Sequence, residues 1–196
     1  MKTKFRSEMW LGAVAVSLCG ATAVAEIDRH HNGNPQRSTA EDFLGIGVGP
    51  IATGHHGVGP NQGEIPSLPI ENTIDSVRQA YQLGARVVEV DVQLTRDGRL
   101  AVFHDDFLSD FTCLHDLTLD ELQQRLPYVP ELHQVLDAAR HFNRKAGEDL
   151  GGILIVELKT FSPHCDPNDE FEEALVSAAV NEVRHAGMVD QVIPDP

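Results

Sequence analysis

Basic and aromatic side chains are scarce in this chain. Its 196 residues hold 15 lysines and arginines against 30 aspartates and glutamates, a formal net charge of −15, and only 6% are aromatic. Nucleic-acid binders meet phosphate with clustered Lys and Arg, so the deficit argues against that class. It argues equally against docking on anionic lipid headgroups. Cysteine is rare too, with 3 residues and no zinc-site spacing. No internal repeat, low-complexity tract or bilayer-length apolar run is present. What is there is 41% hydrophobic content, enough at this length for one real core.

The N-terminus carries Lys2, Lys4 and Arg6 ahead of the apolar run Trp10 to Val16, and Ala23-Val24-Ala25 follows with the small-x-small pattern of a cleavage site. A secretory signal peptide over residues 1–25 fits this better than an anchor, and a lipid attachment at Cys19 is disfavoured by the bulky Leu18 before it. The expectation is an exported protein, periplasmic or secreted, with no stable membrane anchor. Cleavage leaves Cys113 and Cys165, which could pair in an oxidising compartment or stand as two separate thiols. Residues 26–45 are polar and irregular, a leader into a domain over residues 46–196.

Within that domain the informative stretch runs from Glu89 to Asp105. In Val87-Val88-Glu89-Val90-Asp91-Val92 apolar and acidic residues alternate, and side chains at i and i+2 of a strand point the same way. Glu89 and Asp91 therefore present two carboxylates side by side, with Gln93 next in the row. Asp97-Gly98 supplies a turn, and Leu100 to Phe103 forms a short strand that delivers His104-Asp105. Two carboxylates and a nearby histidine suit a hard divalent cation with an acid/base partner. An amphipathic strand with a wet acidic face accounts for the same residues without any site.

Around this stretch, strands and helices alternate. An apolar, glycine-rich segment from Ile46 to Gly54 contains a first strand and ends at His55-His56-Gly57. A helix capped by Asn72 or Thr73 follows, with Ile74, Val77 and Tyr81 inward and Gly84 at its end. Thr118-Leu119-Asp120-Glu121 opens a short helix as a capping box, and another runs from Glu131 to about Lys145. Gly152 to Lys159 reads as a strand buried on both faces, carrying Glu157 and Lys159. A long helix from Asp169 to about Ala186 turns Phe171, Leu175, Ala178 and Val183 inward, and Val189 begins one more strand. This is α/β with parallel βα units, and polar groups at several strand C-termini match where barrel enzymes build their sites.

Read in order, Gly54-His55-His56-Gly57, Asn61, Glu71-Asn72-Thr73, Glu89-Val90-Asp91, Asp97-Gly98, His104-Asp105 and Glu157-Leu158-Lys159 make an ordered set. It resembles the glycerophosphodiester phosphodiesterase family, whose pattern reads His-Arg-Gly, Pro-Glu-Asn-Thr, Glu-x-Asp, Asp-Gly, His-Asp and Glu-x-Lys. The resemblance covers about residues 51 to 160. It implies a TIM barrel and a metal-dependent hydrolysis of glycerophosphodiesters, small-molecule substrates, to glycerol 3-phosphate and an alcohol, with one Ca²⁺ or Mg²⁺. Carried over residue by residue, it makes Glu89, Asp91 and Glu157 the metal carboxylates. His55 becomes the base and His104 the acid, while His56, Glu71 and Lys159 become substrate contacts. Glu71 could equally favour a helix N-terminus by its charge alone. His115, His133, His141, His164 and His185 lie outside the pattern and read as surface residues.

Two departures stand out. His56 occupies the position of the family's arginine, whose bidentate fork a histidine cannot reproduce. A complete barrel takes about 250 residues, whereas this chain supplies only about five strands, a barrel truncated in its second half. Such an arc leaves an open strand edge, so either the sequence is a fragment of a longer protein or another chain, which could be a second copy, covers the edge by self-association. The competing readings are a truncated inactive homologue, a phosphate-ester-binding module, and a related lysophospholipid or sphingolipid phosphodiesterase.

Overall fold

A computed structural model describes residue 40, residues 52–145 and residues 152–196 of the chain. The expected signal peptide, almost all of the polar leader and the stretch 46–51 lie outside the described residues. Among those described, β1 (Thr53–Gly54) leads through α1 (Ile74–Gln82) to β2 (Val87–Leu94). Then come β3 (Leu100–Val102), α2 (Leu119–Arg125), α3 (Leu132–Lys145), β4 (Ile153–Leu158), α4 (Glu172–His185) and β5 (Val192–Asp195). The parallel strands stand in the order β1-β2-β4-β5, and β3 folds back antiparallel on β2. Each parallel strand neighbours the next parallel one, so the sheet winds in a single direction, as an arc of a TIM barrel does. A doubly wound sheet would reverse its strand order instead.

The two-residue period of the strands sorts their side chains. Val88, Val90 and Val92 of β2 and Leu154, Val156 and Leu158 of β4 join one apolar cluster with Val77, Tyr81, Leu132, Leu136 and Leu175 from the helices. The alternate positions, Glu89, Asp91, Gln93 and Glu157, therefore point away from the helices. Apolar burial of this kind contributes about 25 cal/mol per Å², so it is the helix-side face that fixes which side the carboxylates take. Tyr81 extends the same layer: its hydroxyl donates to the Ile153 carbonyl at 2.7 Å, and burial pushes its phenol far above the ordinary range. A second, smaller cluster of Leu108, Leu114, Leu117, Leu119, Leu122 and Val129 supports the excursion between β3 and α3.

Helix boundaries follow their caps. Thr73 caps α1 by accepting from the Ser76 amide, leaving Asn72 for another purpose, and Thr118 and Glu121 close a reciprocal capping box on α2. The last helix begins at Glu172 rather than Asp169. Asp169 has φ +54, which an α-helix cannot continue through. The Asp166 carboxylate instead accepts the Glu170 and Phe171 amides, both at 2.9 Å. Phe171 is accordingly not an inward core residue: it is 37% exposed and stacks on the His115 ring at 4.5 Å. His115 in turn is half-buried rather than a surface residue, with Nε2 at 2.7 Å from the Cys165 carbonyl. The final strand starts at Val192, because buried Met188 and a turn on its carbonyl occupy the residues before it.

Cys113 and Cys165 form a disulfide that joins the loop after β3 to the loop after β4, 52 residues apart in sequence. Closing a loop of that length removes about 4 kcal/mol of chain entropy from the unfolded state. Replacing both cysteines by serine is therefore expected to lower Tm by several degrees, as is reducing the wild type with a thiol. Differential scanning calorimetry with and without reductant checks both, and reductant should leave the double variant unchanged.

Candidate metal centre and histidine cluster

Parallel pairing sets Asp91 opposite Glu157, with Glu89 one pleat earlier on the same face of β2. Oxygens of the three carboxylates lie within 4.8 Å of one another. Asp91 is fully buried and Glu89 nearly so, while the Glu157 side chain is about one-third exposed (34%), nearer the strand end than its apolar surroundings suggest. Such a trio repels itself, so the neighbouring donors matter. Glu89 Oε2 accepts the His56 amide at 2.9 Å, yet Glu89 Oε1 is buried without a hydrogen-bond partner. Burial, reinforced by the Asp91 charge and only partly countered by that amide, holds the Glu89 carboxyl above its ordinary value.

Asp91 is gripped more firmly. Asn72 donates Nδ2 to Asp91 Oδ2 at 2.8 Å and accepts the Asp91 amide at 3.1 Å, a two-point clamp made from a left-handed backbone at φ +56. Lys159 Nζ lies 2.8 Å from Asp91 Oδ1, an ion pair that is this buried oxygen's one partner among the described residues. The same ammonium donates to Glu157 Oε1 at 2.5 Å. Burial pulls Lys159 down, but the two carboxylates outweigh it and keep the ammonium above its ordinary range. Glu89 Oε1 without a partner, Asp91 Oδ1 held only by the Lys159 ammonium, and a third carboxylate form an all-oxygen donor set, which fits a hard divalent cation such as Ca²⁺ or Mg²⁺.

The histidine pair follows β1 in a turn that only small residues allow. A Cβ on Gly54 would meet the Gly57 carbonyl at 2.3 Å, and one on Gly57, at φ +92, would meet Ser76 Oγ at 2.1 Å. This tight turn throws His55 outward, 61% exposed, with Nε2 3.9 Å from Glu89 Oε2. His56 turns inward from φ +50 and is buried. Its Nδ1 lies 3.2 Å from Glu71 Oε2 and its Nε2 3.2 Å from Asp91 Oδ2. Glu71 also accepts the Asn61 amide at 2.9 Å and is buried, so it belongs to this cluster and not merely to a helix N-terminus.

His104 arrives from the end of β3. Gln93 Nε2 donates to the carbonyls of Phe103, His104 and Asp105 at 3.1, 3.0 and 2.7 Å, bolting that turn to β2. His104 Nδ1 meets Asp105 Oδ1 at 2.7 Å, which leaves Nε2 for another partner. Ring centroids of His56 and His104 are 5.0 Å apart, and those of His55 and His56 are 3.9 Å apart. The structure thus gathers His55, His56, Glu71, Glu89, Asp91, His104, Glu157 and Lys159 on one face of the sheet. Sequence reasoning missed the clamp by Asn72, the bolt by Gln93 and the ring partner Asp105. An Asn just before a capping Thr was the available signal for the first, since Asn tolerates positive φ.

Two outcomes follow from this geometry. Asn72→Ala removes two buried hydrogen bonds to Asp91 and places alanine at positive φ, so unfolding free energy should fall by about 2–4 kcal/mol, measured by urea denaturation. Glu89→Gln keeps the acceptor for the His56 amide but removes a self-repelling charge, so the metal-free variant should melt above the wild type. Folded Glu89 binds its proton more readily than the unfolded carboxyl at 4.5. Its contribution to stability therefore grows as pH falls through the raised folded value toward 4.5, and declines as pH rises through that window. The Tm gap between Glu89→Gln and wild type should widen with rising pH across the window. A flat gap would mean that Glu89 is not under electrostatic strain.

Comparison with known proteins agrees with this arrangement. Residues 55–187 match the model of the glycerophosphoryl diester phosphodiesterase family. A glycerophosphocholine phosphodiesterase of Schizosaccharomyces pombe is 36% identical over 115 residues, 57% of this chain and 10% of that protein. A glycerophosphodiester phosphodiesterase of Caldanaerobacter subterraneus is 38% identical over 95 residues, 46% of this chain and 34% of that protein. The solved structure of an Oleispira antarctica phosphodiesterase in complex with the product sn-glycerol-3-phosphate superimposes with a TM-score of 0.56 at 26% identity. That match covers 74% of this chain and 56% of the other, so the chain spans about half the length of that structure, and its matches span 10% and 34% of the two curated relatives. With the family match extending over most of the described residues and the carboxylates and histidines of the motifs gathered on one face of the sheet, the chain belongs to the glycerophosphoryl diester phosphodiesterase family.

Proposed function

We propose that the chain carries the catalytic centre of a metal-dependent phosphodiesterase that splits glycerophosphodiesters into glycerol 3-phosphate and an alcohol. One observation carries the reading: a buried Glu89 oxygen without a hydrogen-bond partner and a buried Asp91 whose Oδ1 meets only the Lys159 ammonium, next to Glu157 and flanked by two exposed histidines. Glu89, Asp91 and Glu157 would hold one Ca²⁺ or Mg²⁺. A cation there supplies positive charge against the negative charge that builds on the phosphoryl oxygens.

The remaining chemistry belongs to the chain's own side chains. His55, exposed and close to Glu89, takes a proton from the attacking oxygen. His104, oriented by Asp105 at Nδ1, gives a proton to the departing alkoxide from Nε2. Lys159 and Glu71 complete the substrate contacts, the ammonium exchanging a carboxylate for the phosphate group. The glycerophosphocholine specificity named for the yeast relative, and the glycerol 3-phosphate bound in the bacterial structure, support this substrate class. Export to an oxidising compartment is part of the same proposal, supported by the Cys113–Cys165 disulfide and the signal-like first 25 residues.

The test is release of glycerol 3-phosphate from glycerophosphocholine by the purified chain with Ca²⁺, with Mg²⁺ and with chelator. Release that needs the cation supports the proposal, and His104→Ala should lower kcat by about 10²–10⁴-fold with Tm unchanged. Release that persists in excess chelator would refute the metal role. Tight binding of the ester without turnover, in a folded protein, would identify a phosphate-ester-binding module instead.

A further inference from the structure

The resemblance casts His56 as a substrate contact in the place of an arginine, but its surroundings point elsewhere. An imidazole has two polar ring atoms, and both of His56's face carboxylates at 3.2 Å, Glu71 through Nδ1 and Asp91 through Nε2. Only 7% of its side chain is exposed, so no ring atom is left over for a phosphate oxygen. Its main chain is committed as well. The amide donates to Glu89 Oε2 at 2.9 Å, and the carbonyl accepts from the Asn72 amide and from Ser76 Oγ, both at 3.0 Å. The residue holds φ +50, a conformation costing an L-residue about 1 kcal/mol, which persists only where the surroundings enforce it. Its ring is also the near neighbour of both proposed acid/base rings, 3.9 Å from His55 and 5.0 Å from His104.

We infer that His56 is a positioning residue: it links Glu71 to Asp91 through its ring, fixes Glu89 through its amide, and spaces His55 from His104. The inference rests on the reading of Glu89, Asp91 and Glu157 as a cation site. Asp91 Oδ2 accepts from Asn72 Nδ2 and lies 3.2 Å from His56 Nε2, while Lys159 Nζ stands 2.8 Å from Oδ1, so loss of the ring removes one of the three groups that aim the carboxylate. An arginine at this position carries enough donors to reach both carboxylates, whereas alanine reaches neither and glutamine can span to one. Orienting partners of metal carboxylates act on cation affinity, typically by 10- to 100-fold, and not on the substrate's own contacts.

His56→Ala, His56→Gln and His56→Arg in the full chain separate the roles. Calcium affinity by titration calorimetry should weaken about 10- to 100-fold in His56→Ala, less in His56→Gln, and recover in His56→Arg. Glycerol 3-phosphate affinity at saturating Ca²⁺ should stay within about twofold of wild type throughout. Unchanged calcium affinity with weakened glycerol 3-phosphate binding would overturn the inference and make His56 a phosphate contact. A crystal structure of metal-free His56→Ala distinguishes failure of this inference from failure of the metal reading. An Asp91 carboxylate rotated from its wild-type position supports the positioning role even if no cation binds, and an unmoved carboxylate overturns it. Absence of calcium binding by the wild type would count against the metal reading alone.

Discussion

The structure depends on one electrostatic conflict, two carboxylates buried one pleat apart on β2 with a third across the parallel register on β4. Buried charge of one sign is costly unless paired or bonded. The chain compensates only in part. Lys159 sits against Asp91 and Glu157, Asn72 clamps Asp91, and the His56 amide satisfies one oxygen of Glu89. The other oxygen of Glu89 is left with nothing, and its carboxyl is held above the ordinary range.

The surroundings hold that conflict in place. The apolar face of β2 and β4 locks the register, so the carboxylates cannot slip to the helix side. The Gly54 to Gly57 turn delivers one histidine to solvent and one to the carboxylates, in a space a Cβ would fill. Gln93 holds the His104 turn, and the disulfide ties the loops after β3 and β4 into one rim. Stability contributed by the helix layer is thus spent, in the stability–function sense, on a charged cluster that costs stability.

Much of this was legible in the sequence, for identifiable reasons. Alternation of valine with Glu89 and Asp91 reports the strand period directly, and the Thr118 to Glu121 capping box is a local signature that the structure reproduces. The site residues gathered by the fold were named through ordered short motifs, each weak alone. What escaped were contacts between distant positions. Asn72 reads locally as a helix cap, yet its partner is Asp91, nineteen residues on. The choice between a disulfide and two thiols needed the packing of two loops. The late start of α4 hung on the left-handed backbone at Asp169, which no hydrophobic period announces. Burial of His115 depended likewise on Cys165 and Phe171, fifty or more residues away.

We propose that Glu89, with Oε1 unpartnered, and Asp91, with Oδ1 held only by Lys159, bind a divalent cation together with Glu157. Anomalous diffraction from crystals grown with Mn²⁺ or Ca²⁺ tests it directly. The expected result is a single strong peak in contact with Glu89, Asp91 and Glu157, with the Lys159 ammonium moved off Asp91. A map with no peak there at saturating cation, and Lys159 still seated on Asp91, would contradict it.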